Sequence, residues 1–282
     1  VYSRPANLDE ALGWLSERGA RVMAGATDVF PAAADRPLSG RWVDVSRLAA
    51  LRGVTRTPGE ISLGGAMTWT DIVNAELPPA FDALKTAARD VGAIQIQNRG
   101  TIAGNLCNAS PAADGVPPLL ILGAQVELAS RRGERRLPLA EFIVGARRTR
   151  LAPDELLTAV RIPAPASTLR SAFFKLGARR YLVISIAMVA AALDVSEGIV
   201  RDARIAVGAC SAAARRLPSA ERRLTGERAR AGLADRIVPG DLDDLAPIDD
   251  VRASADYRRD AALTLTRRAV EACLRGEAGG VV

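Results

Sequence analysis

The sequence predicts an α+β protein of two domains, and three features predict it. A helix signal precedes an apolar strand candidate that empties into a turn of small residues. The group Pro163, Pro165 and Ser167 breaks the chain past its midpoint, and beyond the break come three strand candidates and one long amphipathic helix. With 282 residues, 49% of them hydrophobic, the chain is long enough to bury more than one core. The break divides it into domains over 1–166 and 167–282, the first made of a lobe over about 1–56 and a second over about 57–166.

Taken in order, Asn7 with Glu10 three residues later reads as a helix N-terminus, Leu8, Ala11, Leu12 and Leu15 as its apolar side, and Gly19 as its stop. Residues 21–24 and 42–45 read as buried strands of a βαβ-like start. Ile61–Gly64 opens the second lobe, Thr68 and Asp71 have the spacing of a capping box, and a helix over about 80–90 ends at Gly92. Residues 117–122 suit a helix, 125–130 with 134–138 a hairpin, and 155–162 a strand. Past the break, 172–177, 184–195 and 204–209 are strand candidates, and 255–275 is a helix with Leu263, Ala269, Val270 and Cys273 on its apolar side. The stretch 240–250, with five aspartates, reads as a surface loop.

Composition excludes more than it names. A formal charge of +6 is compatible with nucleic acid, but the arginines are scattered and aromatics are only 4%, so stacking platforms for bases are scarce. Cys107, Cys210 and Cys273 lie far apart, with no C-x-x-C and no histidine in the chain, which argues against a zinc site, an iron–sulfur cluster or a disulfide framework and for a reducing cytoplasm. The longest apolar stretch, Tyr181–Leu193, is shorter than the ~20 residues a bilayer requires.

Two segments carry the chemistry. Val22-Met23-Ala24-Gly25-Ala26-Thr27-Asp28 runs from a strand into a small polar turn, and the loop Gly100–Asp114 (GTIAGNLCNASPAAD) combines small residues, hydroxyls and amides with one carboxylate. Glycine and alanine remove the side-chain wall, so backbone N–H groups around Gly25, Ala26, Thr27 and Gly104 can hold an anion. The hydroxyls of Thr27, Thr101 and Ser110, with Asn105 and Asp114, add hydrogen-bonding partners. Two such loops suit a long ligand with a pyrophosphate in its middle. The nicotinamide-type fingerprint G-x-G-x-x-G is absent after the first strand, and Asp44, at a tempting distance from Gly25, reads as structural.

The A-G-x-T-D loop, followed about 75 residues later by T-I-x-G-N-x-x-x-x-S-P-x-x-D, resembles the FAD-binding medium subunit of molybdenum hydroxylases, the family of xanthine dehydrogenase flavin domains and carbon monoxide dehydrogenase flavoproteins. Tyr2–Leu12, Leu151–Leu157 with Ile162-Pro163, and Phe173–Arg180 extend the likeness over the whole chain. The resemblance implies a two-lobed FAD-binding domain of the PCMH/vanillyl-alcohol-oxidase type, then a small C-terminal α+β domain with a three-stranded antiparallel sheet and helices. It implies that FAD is held by Val22, Met23, Ala24, Gly25, Ala26, Thr27, Asp28, Val29, Gly92, Thr101, Ala103, Gly104, Asn105, Ser110, Asp114 and Leu157. Of these, Val22, Met23, Gly92 and Leu157 would supply apolar contact, and Asp28 would position its loop or touch the ligand. Lys175 is the implied flavin-proximal residue, both cofactor-binding and on the catalytic side, with Arg179 and Arg180 at the same mouth or a subunit contact and Tyr181 stacked near the ring or packed in the fold. The sequence departs from the family at Ala103, where many relatives carry glycine, and at Ala26, where others carry glycine, histidine or asparagine.

The family's electron path implies an oxidoreductase subunit that takes electrons from [2Fe–2S] clusters and passes them to a terminal acceptor. Its partners would be a large molybdopterin-binding subunit and a small [2Fe–2S] subunit, in a cytoplasmic dimer of heterotrimers without nucleic acid or a membrane span. This chain itself holds no metal in that reading. A flavin-free assembly subunit, or a basic nucleic-acid-binding protein, is the alternative.

Overall fold

Asn7 starts the first helix as its spacing predicts: its side chain accepts from the Glu10 N–H at 2.9 Å, and Glu10 reaches back to the Ala6 N–H at 2.7 Å. In the computed structural model, which describes residues 1–179 and 182–282, this helix (α1, Leu8–Leu15) buries Ala11, Leu12 and Leu15. It covers a three-stranded parallel sheet of Tyr2–Ser3 (β1), Ala20–Met23 (β2) and Arg41–Asp44 (β3), in the order β1-β3-β2. Between β2 and β3 the first small-residue turn leads into a short helix, Val29–Ala33 (α2). Asp44 is structural: it accepts from the Tyr2 hydroxyl and, at 3.2 Å, from Arg4, and caps the Ser46 N–H at 2.9 Å.

The second lobe is built on an antiparallel sheet. Val54–Thr57 (β4) and Glu60–Gly64 (β5) lead to Trp69–Asn74 (α3), where Thr68 and Asp71 form the expected capping box. A 3-10 turn, Pro79–Phe81, and Asp82–Asp90 (α4) replace the single helix expected over 80–90, because Pro78 and Pro79 fix the entry. Ile94–Gln97 (α5), Ile102–Asn108 (α6) and Val116–Ile121 (α7) follow, then the hairpin Gln125–Ser130 (β6) and Gly133–Pro138 (β7). Leu139–Phe142 (α8), the small pair Ile143–Gly145 (β8) and Arg148–Thr149 (β9), and Leu156–Pro163 (β10) complete the lobe, with sheet order β4-β5-β10-β6-β7. Here α6 corrects the sequence reading: the second small-residue segment is a helix and its flanking turns. Thr101 caps it by accepting from the Gly104 N–H at 3.1 Å, and Ala109 ends it in the left-handed conformation.

Beyond the break, Leu169–Leu176 (β11), Ala187–Ser196 (β12) and Ile199–Gly208 (β13) form the expected antiparallel strands. The sheet has five strands rather than three. Arg215–Arg216 (β14) adds to one edge, and Gly279–Val281 (β15), after helices Pro218–Leu224 (α9) and Ala255–Arg275 (α10), pairs in parallel with β11. Alternation sorts β12 between two cores. Met188, Ala190 and Ala192 face the helices of the second lobe, and Ala187, Val189, Ala191 and Leu193 face α9 and α10. Part of the acidic stretch 240–250 is also fixed: Asp241 is buried, accepts from the Val238 N–H at 2.9 Å and pairs with Arg223 at 2.6 Å. No described helix is long and apolar enough to cross a membrane.

Candidate functional site

The first turn leaves β2 and meets the residues before α6 backbone to backbone. A Cβ added to Gly25 would lie 1.8 Å from the Arg99 carbonyl oxygen, so only glycine permits the contact. Ala26 follows with φ of 59°, in the left-handed region, and swings the chain back toward α2. The N–H groups of Gly25, Ala26 and Thr27 have no protein acceptor among the described residues. On the facing side, Ala103 donates to the Gly65 carbonyl at 3.1 Å and Ile102 to Met67 at 3.0 Å, which pins the start of α6 to the end of β5.

These elements enclose a cavity of about 320 Å³. Twelve of the sequence-predicted residues line it: Val22, Ala24, Gly25, Ala26, Thr27, Asp28, Val29, Thr101, Ala103, Gly104, Asn105 and Leu157. The sequence reading missed Trp69, Val45, Leu51, Leu156 and Glu155 on the same wall. The apolar ones carry no signal separating a cavity wall from a core. Asn105 Oδ1 is buried without a hydrogen-bond partner, and the Gly115 backbone packs so closely that a Cβ there would be 2.4 Å from the Trp69 ring and 3.0 Å from that oxygen. An orphaned acceptor and free N–H donors on a largely apolar wall fit a ligand with anionic and polar groups along its length.

Glu155 shows how the wall is held. Its carboxylate pairs with Arg135 at 2.6 Å and accepts from the Ala152 N–H at 2.8 Å, and the Arg135 hydrogen bond holds it below the ordinary carboxylate range. Cys107 also lines the cavity, and burial pushes its thiol up to about 12.

Five predicted residues stand outside the lining. Met23 faces a neighbouring cleft, Gly92 turns with φ of 58° against Ile96, and Ser110 accepts from the Ala112 N–H at 3.3 Å. Asp114 and Lys175 are a buried pair. Lys175 Nζ lies 2.6 Å from Asp114 Oδ2 and donates to the Asp90 carbonyl at 3.1 Å, while the Ser185 hydroxyl donates to Asp114 Oδ1 at 2.7 Å. Lys175 therefore takes no part in the cavity wall, because an ammonium 1% exposed takes the carboxylate beside it as counter-ion. Burial pushes the Asp114 carboxyl above its ordinary value, with Lys175 and Ser185 pulling it back. Arg180 and Tyr181 lie outside the described residues, and Arg179 donates to the Leu182 carbonyl at 3.1 Å. Among the described residues no group of three or more Cys, Asp or Glu side chains is placed to hold a metal.

Two small-residue segments, one from each lobe, close on one cavity and define a protein that binds a ligand with anionic and polar groups. Residues 1–165 match the model of the FAD binding domain in molybdopterin dehydrogenase, and residues 172–273 match that of the CO dehydrogenase flavoprotein C-terminal domain. The chain belongs to this family of FAD-binding medium subunits of molybdenum hydroxylases. It is 31% identical to the xanthine dehydrogenase FAD-binding subunit of Escherichia coli O157:H7, over 99% of this chain and 97% of the relative. It is 30% identical to the nicotine 6-hydroxylase medium subunit of Paenarthrobacter nicotinovorans, over 95% of each chain. Among solved structures, carbon monoxide dehydrogenase from Hydrogenophaga pseudoflava superposes with a TM-score of 0.89 at 26% identity, covering 98% of both chains.

Proposed function

We propose that the cavity between the two small-residue segments holds FAD, and that the chain delivers electrons received from a [2Fe–2S] partner subunit to a terminal acceptor. The N–H groups of Gly25, Ala26 and Thr27 would bind the pyrophosphate, with the hydroxyls of Thr27 and Thr101 beside it and the small Gly104 leaving room. Val22, Ala24, Val29, Ala103 and Leu157 would line its apolar parts, and Asp28 would sit at the loop's edge. Asn105 Oδ1, a buried acceptor without a partner in this cavity, would take a hydrogen bond from the ligand. This orphaned oxygen, in one cavity with three free N–H groups, is the observation that carries the assignment. When bound, FAD supplies exchange between one-electron and two-electron transfer.

Lys175 acts in this reading as a positioning residue. Through Asp114 it fixes Gly115, whose backbone abuts both Trp69 and Asn105. The two family models support a division into a flavin domain over 1–166 and a C-terminal domain over 167–282. We further propose a cytoplasmic complex with a large molybdopterin-binding subunit and a small [2Fe–2S] subunit, arranged as a dimer of heterotrimers.

The test is the absorbance spectrum of the purified chain and identification of what heat releases. Oxidised-flavin bands at roughly 370 and 450 nm with about one FAD per chain are expected. A colourless chain that takes up no added FAD, alone or with its partners, overturns the proposal in favour of an assembly role.

A further inference from the structure

Arg258, near the start of α10, is a buried cation, 2% exposed, whose guanidinium reaches three acceptors outside its own helix. Nη1 donates to the Ile186 carbonyl at 2.5 Å and to the Ala209 carbonyl at 3.2 Å, and Nη2 donates to Asp250 Oδ1 at 2.7 Å. Nε is buried with no acceptor among the described residues. Asp250 is fixed in turn by Arg252, accepting from its N–H at 2.8 Å and from its guanidinium. Ile186 lies just before β12 and Ala209 just after β13, so the two carbonyls stand at the same end of the sheet. That end meets the second small-residue segment. The Ser185 hydroxyl donates to Asp114 Oδ1 at 2.7 Å, and the Ala209 N–H donates to the Pro111 carbonyl at 2.9 Å. Ala209 has φ of 62°, in the left-handed region that a residue with a Cβ disfavours, and the hydrogen bonds on its two sides keep it there.

We infer that Arg258, braced by Asp250, is a positioning residue for the cavity, a role that rests on the FAD assignment above. It sets the turns at 185–186 and 209 against Pro111–Asp114 and, through Gly115, fixes the wall at Asn105. Stability alone is a poor reason for the arrangement, because an apolar side chain would fill the space without desolvating a cation or orphaning Nε. The guanidinium supplies what an apolar chain cannot, a fixed spacing between two carbonyls and a carboxylate. The next link is short. Asp114 is followed directly by Gly115, whose backbone abuts Trp69 and Asn105 Oδ1, so a shift of the Pro111–Asp114 turn moves the surroundings of the orphaned acceptor.

The test compares the full chain with three variants. R258M removes the clamp and keeps an unbranched chain, D250A removes the brace, and L265A opens the core beside the same helix at a buried position that takes no part in these hydrogen bonds. Amide hydrogen exchange at Ala209 is measured in the FAD-free protein as a ratio to the amides of β12, FAD affinity is read by fluorescence, and thermal melts establish folding. In R258M the exchange ratio is expected to rise roughly tenfold and FAD to bind roughly tenfold more weakly. L265A, although less stable, should keep the wild-type ratio and FAD affinity. D250A should move both readouts in the direction of R258M by about threefold, and it decides the matter if R258M does not fold. The inference is overturned if the deciding variant leaves either readout at its wild-type value, or if folded L265A weakens FAD as much. A wild-type chain that takes up no FAD defeats the FAD assignment instead. In that case a raised exchange ratio in R258M keeps Arg258 as the residue that sets this turn, and an unchanged ratio overturns it.

Discussion

Ala26 sits where the backbone prefers glycine. Its φ of 59° costs an L-residue roughly 1 kcal/mol, and Ala26→Gly removes that strain while loosening the unfolded chain, so the two effects partly cancel. The expected outcome is a melting temperature unchanged or raised by a few degrees, with FAD affinity retained. A fall in both would mean that the alanine methyl packs against the ligand. Ala103, the other departure from the family, lies in the first turn of α6 outside the left-handed region and is neutral there. The buried pair is less forgiving. Lys175→Met leaves Asp114 without its counter-charge and is expected to cost about 3–5 kcal/mol at neutral pH. The Asp114 carboxyl, already raised by burial, is then raised further, and a raised carboxyl contributes stability below its unfolded value that is lost as pH rises through the folded one. The variant should therefore recover part of its deficit between pH 7 and about pH 4.5, which denaturant unfolding at the two pH values measures. Lys175→Met with Asp114→Leu should recover much of it at every pH.

At the scale of elements, the seam between the first turn and α6 depends on two groups. Gly25→Ala sets a methyl against the Arg99 carbonyl, so the chains must separate; loss of flavin from an otherwise folded protein is the expected result, read from the spectrum and a melt. Thr101→Val removes the cap of α6 and should cost about 1 kcal/mol and weaken FAD binding, whereas Thr101→Ser should keep both. The turn, the cap spacing at Thr68 and the existence of the strand β12 were all legible in the sequence, because each is a local pattern with one physical cause. α6 was not, since glycine, asparagine and cysteine are weak helix formers and only the Thr101 cap and the contacts of Ile102 and Leu106 in the core make the helix pay for itself. β15 was not legible either: a short Gly-Gly-Val segment becomes a strand only because β11 offers an unpaired edge. In the site, the residues whose small size was the signal were found, but Trp69, Val45 and Leu156 read as ordinary core until the fold turned them to the cavity. Lys175 and Asp114 were both noticed and their pairing was not, as an ion pair between positions so distant in sequence is invisible before the sheet is built.

Across the whole molecule, the sheet of the second lobe is knit by charge on one face. Glu127 is paired with Arg161 at 2.8 Å and Arg136 at 3.0 Å, and Glu60 with both at 3.2 and 3.1 Å. Burial pushes Glu127 up, but the two arginines outweigh it and hold its carboxyl below the ordinary range, as Arg135 does for Glu155. Depressed carboxyls stabilise the fold above their unfolded values and lose that contribution as pH falls through the folded ones. Stability should thus fall below about pH 4, and Glu127→Gln with Glu155→Gln should be less stable at pH 7 with a shallower acid slope, measured by denaturant unfolding across pH.

The three thiols have a consequence for redox traffic. Burial pushes Cys107, Cys210 and Cys273 each up to about 12, so all remain protonated at any physiological pH. Protonated thiols are poor nucleophiles toward peroxide and poor partners for disulfide exchange. The chain is thereby insulated from its own sulfur chemistry: an oxidant that reaches it finds no thiolate at any of these three positions.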